Sequence, residues 1–246
     1  MTYEETIAAA VIVAGTYLVF GMTGFGSTVL ALPILAHVVP LKFAVPLLLL
    51  LDLVAGVLLS ARARRGVRLD ELGALAPFLL IGIALGLTLL IQLPEAPLLA
   101  VLGFFLVAYA SYGIARRSGP PRLSRAWSAP FGLAGGMLSA LFGTGGVLIA
   151  LYMGARLRDK DELRATIAGA ILFNACVRVV FFGATGLLGQ DGLLKSAFLL
   201  LPSVLAGLYL GSRLHAVVPT GLVVRAVYLV VAAAGVSLLV RVFAFQ

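Results

Sequence analysis

LFGTGGVLIAL, residues Leu141 to Leu151, puts Gly143, Gly145 and Gly146 within four positions of an otherwise apolar run. An earlier stretch, MTGFGSTVLAL from Met22 to Leu32, has Gly24 and Gly26 where Gly143 and Gly145 stand in the later copy. Each follows an apolar run of about four helical turns and precedes another of about three. Glycine is poorly suited to a helix interior, so both places are predicted to break a helix and leave backbone groups unpaired. In lipid a broken backbone is tolerable only where it faces protein or a watery cavity. Paired breaks at matching positions in two halves of a chain point to a transporter's binding site.

The rest of the chain supports a membrane setting. Of its 246 residues 62% are hydrophobic and 11% charged, with a mean hydropathy of +1.13. Successive apolar stretches approach the ~20 residues that cross a bilayer, and the sequence between them is too short for a water-soluble domain. Glu4 and Glu5 stand where a signal peptide would be basic. The single cysteine, Cys176, excludes an internal disulfide. The two histidines, His37 and His215, are too far apart to suggest a metal cluster. The net charge of +8 arises mainly from three short loops: Arg62, Arg64, Arg65 and Arg68; Arg116, Arg117, Arg122 and Arg125; Arg156, Arg158, Lys160 and Arg164, with Lys195 and Arg241 as minor exceptions on the outer side. Such placement is a positive-inside signal and argues against nucleic-acid binding.

The apolar runs fall near 7–22, 27–39, 43–61, 71–91 and 97–115, then 127–142, 145–155, 164–184, 193–212 and 220–243. That is ten segments in two sets of five. The first two of each set are short for independent spans and read as half-helices meeting at a glycine break. They form either a re-entrant hairpin, which we favour, or two short tilted passes. Pro77, Gly82, Gly86 and Pro94 recur as Pro202, Gly207, Gly211 and Pro219 at an offset of 125, and the breaks recur at 119. With the basic loops cytoplasmic, equivalent helices point in opposite directions. The expected architecture is therefore an all-α polytopic membrane protein. It is built from two inverted repeats, residues 1–120 and 121–246, with both termini outside.

The segments GMTGFGSTVLALPIL and SALFGTGGVLIAL, with the later ATIAGAILFNACVRV, resemble the TauE/SafE sulfite exporter family over essentially the whole chain. The resemblance implies secondary transport of a small sulfur-containing or carboxylate anion across a bacterial inner membrane, sulfite, sulfoacetate or another organosulfonate among them. It marks the glycine breaks and Asn174, and implies no cofactor.

Residue chemistry adds a candidate site. Half-helices starting near Ser27 and Gly146 direct free N–H groups back towards the breaks, a donor-rich place that suits an oxyanion. Gly24, Phe25, Gly26, Ser27 and Thr28 form the first side of it, and Gly143, Thr144, Gly145 and Gly146 the second. The competing reading is that these glycines only permit close helix packing. Asp52 and Arg178 lie within spans, where charge is expensive and usually faces a bundle interior or a water-filled path. Arg178 offers a planar fork for a sulfonate or carboxylate, with Asn174 one turn away on the same face. Asp52, aligned with Asn174 between the repeats, is a candidate proton-coupling site. Equally, Asp52 and Arg178 could neutralise each other as a structural pair.

Other features carry less. Gly-Thr-Gly-Gly lacks the Lys-Ser/Thr of a phosphate loop. Cys176 reads as packing rather than a nucleophile, and Trp127 as an interface anchor. Tyr109, Tyr112, Tyr209 and Tyr228 read equally as core or pore lining, and 158–162 as a self-compensating turn. No nucleophile–base pair supports an intramembrane enzyme. A passive anion channel would use the same donors as a transporter. A homodimer is compatible with the glycine content, though no interface motif stands out.

Overall fold

A computed structural model of the chain describes residues 3–23, 26–60, 66–115, 123–214 and 220–244. These form ten α-helices and two short 3₁₀ turns, with no strand among the described residues. The helices are α1 (Tyr3–Thr23), α2 (Ser27–Leu35), α3 (Leu41–Ser60), α4 (Leu69–Gln92) and α5 (Glu95–Ala115). The second set is α6 (Ser128–Phe142), α7 (Gly146–Arg156), α8 (Lys160–Ala184), α9 (Leu193–Leu214) and α10 (Thr220–Ala244). Seven of them, α1, α3, α4, α5, α8, α9 and α10, are long and apolar enough to cross a membrane. The chain is an all-α polytopic membrane protein.

The three short helices are those beside the breaks. With 9 and 11 residues, α2 and α7 reach only about 14 and 17 Å, half the ~30 Å of a bilayer's hydrocarbon. α6, with 15 residues, is intermediate. α1 departs from the expected half-helix. It begins at Tyr3 rather than near residue 7 and runs 21 residues, about 32 Å. Glu4 and Glu5 sit in its first turn, where the helix dipole favours negative charge, so the helix continues into polar sequence instead of starting after it.

Too short to span, α2 is nonetheless almost wholly buried, from Ser27 through Pro33 and again at Leu35. Its surroundings are α1, α3 and α10. α3 packs on α8 and α9, and α5 on α10.

The closest helix contacts join the first set of helices to the second: α4 against α6, and α9 against α1. Glycine makes both possible. A Cβ on Gly207 would stand 2.6 Å from the Ala14 carbonyl, and one on Gly211 would strike that of Leu18. Likewise a Cβ on Gly82 would strike the Leu133 carbonyl, and one on Gly86 would stand 2.5 Å from that of Met137. The glycines that recur at an offset of 125 thus receive partners, Ala14 and Leu133, Leu18 and Met137, that recur at 119.

Away from the helix breaks, polar contacts between helices gather at two ends. At one end the Lys42 ammonium donates to the Ile91 carbonyl (2.9 Å), and Glu95 Oε1 accepts from the Leu41 N–H (3.0 Å). There too, Arg241 donates to the Ala36 carbonyl (2.6 Å). At the other end Arg156 grips Glu71 through Nε and Nη2, and Tyr152 donates to the same carboxylate. Arg68 there pairs with Asp70 (2.9 Å) and Glu162 (3.4 Å), and Asp70's hydrogen bond foremost holds the exposed guanidinium above its ordinary pKa. From the turn at 158–162, Glu162 thus reaches across to Arg68, while the side chains of Lys160 and Asp161 lie outside the described residues. Arg62, Arg64, Arg65, Arg116, Arg117, Arg122, His215 and Pro219 lie outside the described residues.

Candidate substrate site at the two helix breaks

Gly24 and Phe25 also lie outside the described residues. From Gly26 onward the first break is well defined. Gly26 has φ +90°, the left-handed region that a side chain rarely adopts, and it caps the N-terminus of α2. Ser27 and Thr28 open the helix, both buried. Asp52 reaches over from α3. Its Oδ1 accepts from Ser27 Oγ at 2.8 Å and from the Tyr17 hydroxyl at 2.6 Å, and its Oδ2 accepts from Thr28 Oγ1. A carboxylate here answers the positive end of the α2 dipole. The first N-terminus thus has its negative partner within the chain, and the Ser27 and Thr28 hydroxyls are turned towards it.

The second break is built differently. Gly143 closes α6 at φ +70°, its N–H donating to the Ser139 carbonyl (2.8 Å), and the Thr144 N–H donates to that of Leu138 (3.4 Å). The chain then reverses closely enough that a Cβ on Gly145 would collide with the Gly135 carbonyl and Ser139 Oγ. Gly145 thus serves close packing of α7 on α6. Gly146 begins α7 against Ile171 of α8 (3.6 Å from its would-be Cβ). One turn further along α8, Asn174 Nδ2 donates to Ser139 Oγ (2.7 Å). The two breaks meet: a Cβ on Gly143 would lie 2.5 Å from Thr28 Cγ2.

Among the described residues four buried side-chain polar atoms have no hydrogen-bond partner. They are Thr144 Oγ1, Asn174 Oδ1, and Nε and Nη2 of Arg178. Buried polar groups are nearly always paired, and an isolated buried charge is far more costly than an unpaired amide. Arg178 is 4% exposed, with the Phe182 ring 5.4 Å from its guanidinium carbon. Asp52, the carboxylate whose field reaches Arg178, makes no ion pair with it. Nε–H and Nη2–H lie on one edge of the guanidinium plane, the arrangement that engages two oxygens of one oxyanion. An anion seated there would satisfy both donors, and the Thr144 hydroxyl lies on the same break.

Two members of this arrangement, Tyr17 and Ser139, escape a sequence reading. Ser139 stands one helical turn before Gly143, a spacing that could have revealed it. Tyr17 lies well before its break and carries no such signal. The tyrosines that attracted notice lie elsewhere: Tyr112 and Tyr209 are exposed, and Tyr109 packs on Phe105 and Tyr228. Cys176 is exposed rather than packed inside. Trp127 is also exposed, its ring against Phe131.

Comparison with known proteins agrees with this architecture. The family model "Sulfite exporter TauE/SafE" matches residues 7–238. The chain is also 30% identical to a probable inner membrane transporter protein, TsaS of Comamonas testosteroni, over 195 residues, 78% of this chain and 81% of that one. No solved structure matches it. With a family match over nearly its whole length and a helix-bundle architecture fit to sit in a membrane, the chain belongs to the TauE/SafE sulfite exporter family of membrane transporters.

Proposed function

We propose that the protein is a secondary transporter of a small sulfur-containing or carboxylate anion, of the kind of sulfite, sulfoacetate or another organosulfonate. It would work in the bacterial inner membrane by alternating access between two inverted repeats, residues 1–120 and 121–246. The observation that carries this is the unpartnered Nε–Nη2 edge of Arg178, buried one helical turn from Asn174. A fixed cation in a low-dielectric site attracts an anion strongly and selects against cations. Backbone amides around Gly143–Val147 add donors at the N-terminus of α7. The recurring glycine contacts of α4 on α6 and α9 on α1 support two related halves, each gripping the other.

Asp52 is the proposed proton site. Its charge acts on Arg178, so a proton there would change the field at the guanidinium proposed to hold the anion. Asp52→Asn is expected to abolish flux driven by a pH gradient while leaving anion binding intact; driven flux that survives removes Asp52 from the coupling.

The first test is a thermal-shift and binding screen with sulfite, sulfate, thiosulfate, sulfoacetate, taurine and short carboxylates. Gly145→Leu would disturb α6 directly, so Arg178→Met is the cleaner site-blocked control. Stabilisation of the native protein by one oxyanion, absent in the control, supports the site. Equal responses in both leave the unpaired guanidinium without a ligand role. In proteoliposomes, accumulation of that anion against its gradient excludes a passive channel.

A further inference from the structure

Thr28 is the residue at which the two breaks touch, and its two branches face different partners. Its hydroxyl donates to Asp52 Oδ2. Its methyl fills the notch left by the missing side chain of Gly143, 2.5 Å from where a Cβ would stand. Gly143 is held in the left-handed conformation and immediately precedes Thr144, whose hydroxyl has no partner. Thr28 is only 4% exposed, and interior packing this tight leaves its side chain little room to turn without moving a neighbour.

An ionised carboxylate only accepts hydrogen bonds, whereas a protonated one must also donate. Asp52 receives three hydroxyl donors, from Tyr17, Ser27 and Thr28. A proton arriving on Oδ2 makes that oxygen a donor, so the Thr28 hydroxyl must switch from donor to acceptor, and its own proton, buried and without the carboxylate, favours another side-chain position. We propose that Thr28 is the positioning residue that transmits the protonation state of Asp52 to the anion site at the second break. Its hydroxyl reads the carboxyl, and its methyl, seated in the Gly143 notch, shifts the turn that presents Thr144. The inference rests on the reading of Asp52 as proton site and of Thr144, Asn174 and Arg178 as anion site.

Other titratable groups near Asp52 are few. Tyr17 faces it from α1 and Arg178 acts on it from α8. α2 and α6 carry no titratable side chain. On α9 the side chains of Lys195, Tyr209 and Arg213 are exposed, and on α5 Glu95 is engaged at the N-terminus of α3.

The test is anion affinity as a function of pH, with sulfoacetate and methanesulfonate as probes because their charge is constant between about pH 5 and 8. The wild-type chain is compared with Thr28→Val, which keeps the branch but loses the hydroxyl, Thr28→Ser, which keeps the hydroxyl but loses the methyl, and Asp52→Asn. The expected result is a change of about fivefold or more in wild-type affinity across this range, reduced to about twofold or less in all three variants. A wild-type profile in either Thr28 variant overturns the proposal, and Thr28→Ser, the smaller change, decides it if Thr28→Val is not recovered folded. A wild-type profile as flat as that of Asp52→Asn overturns both the relay and the proton role of Asp52. Binding of neither probe by the wild-type chain, with no response in the wider screen, overturns the anion-transport reading itself.

Discussion

Arg178 carries a full charge at a position 4% exposed, inside a helix long enough to span, with no carboxylate of the described residues in ion-pair range. Burial of an ion without a partner costs several kcal/mol, which packing alone would not retain. Arg178→Met is therefore expected to raise the melting temperature in detergent by about 2–8 °C, from about 1–2 kcal/mol of relieved desolvation, while removing stabilisation by any anion. A fall in melting temperature would instead make Arg178 a structural residue. Arg178→Lys keeps the charge but not the fork, and is expected to weaken anion binding about tenfold or more, read by calorimetry. The pairing of Asn174 with Arg178 was legible from sequence because four residues make one helical turn. The hold of Tyr17 on Asp52 was not, since it spans 35 positions and depends on how α1 lies against α3.

Helix ends set the geometry of the site, and the two breaks respond differently to the same change. At Gly145 a methyl group has no space, because the Gly135 carbonyl and Ser139 lie against it. At Gly26 nothing lies within 4 Å and only the φ of +90° opposes a side chain. Gly145→Ala is expected to cost about 1–3 kcal/mol by overpacking, and Gly26→Ala about 1 kcal/mol by backbone strain. Melting curves that place the two in reverse order would contradict the close α6–α7 hairpin. In the turn between α2 and α3, burial foremost, and then the Arg241 charge, lower the His37 pKa from 6.5. The unfolded chain then binds the proton more readily than the folded one, so stability present above about pH 6.5 is lost as pH falls through that value. His37→Gln is expected to lessen the drop in melting temperature between pH 7 and 5.5, by a small amount because the ring is exposed.

On the scale of the whole molecule, the two sets of helices are interlocked rather than set side by side. α4 lies on α6, α9 on α1 and α5 on α10, so relative movement of the sets must slide one across glycine-lined contacts of the other. The proposed inverted arrangement makes a prediction about sidedness. In a Cys176→Ser background, a cysteine at His37 is expected to react with an impermeant thiol reagent from the outer face, and one at Ser124 from the cytoplasmic face. Labelling of both from one face would refute the inverted orientation. The Glu71–Arg156 pair closes the end that carries Ser124. Replacing Glu71 by Gln leaves Arg156 without its carboxylate and is expected to destabilise the protein by about 1–3 kcal/mol, discounted because Arg156 is partly exposed.

What the sequence determined by itself was the class of structure. A bilayer's thickness and the cost of bare backbone in lipid convert apolar length and glycine into spans and breaks, with no knowledge of packing. The recurrence of Gly82 and Gly86 as Gly207 and Gly211 was likewise visible, because duplicated contacts require duplicated small residues. The length of α1 was missed because Glu4 and Glu5 read as polar sequence while serving as a helix N-terminus. Which break keeps buried polar atoms without a partner was decided only by tertiary structure. Both breaks present similar glycines, and Asp52 and Asn174 are aligned, yet three hydroxyls gather on Asp52 while Asn174 and Arg178 keep unpaired atoms. The fate of a buried charge depends on what distant residues bring within about 3 Å of it, and that distance is set by the fold.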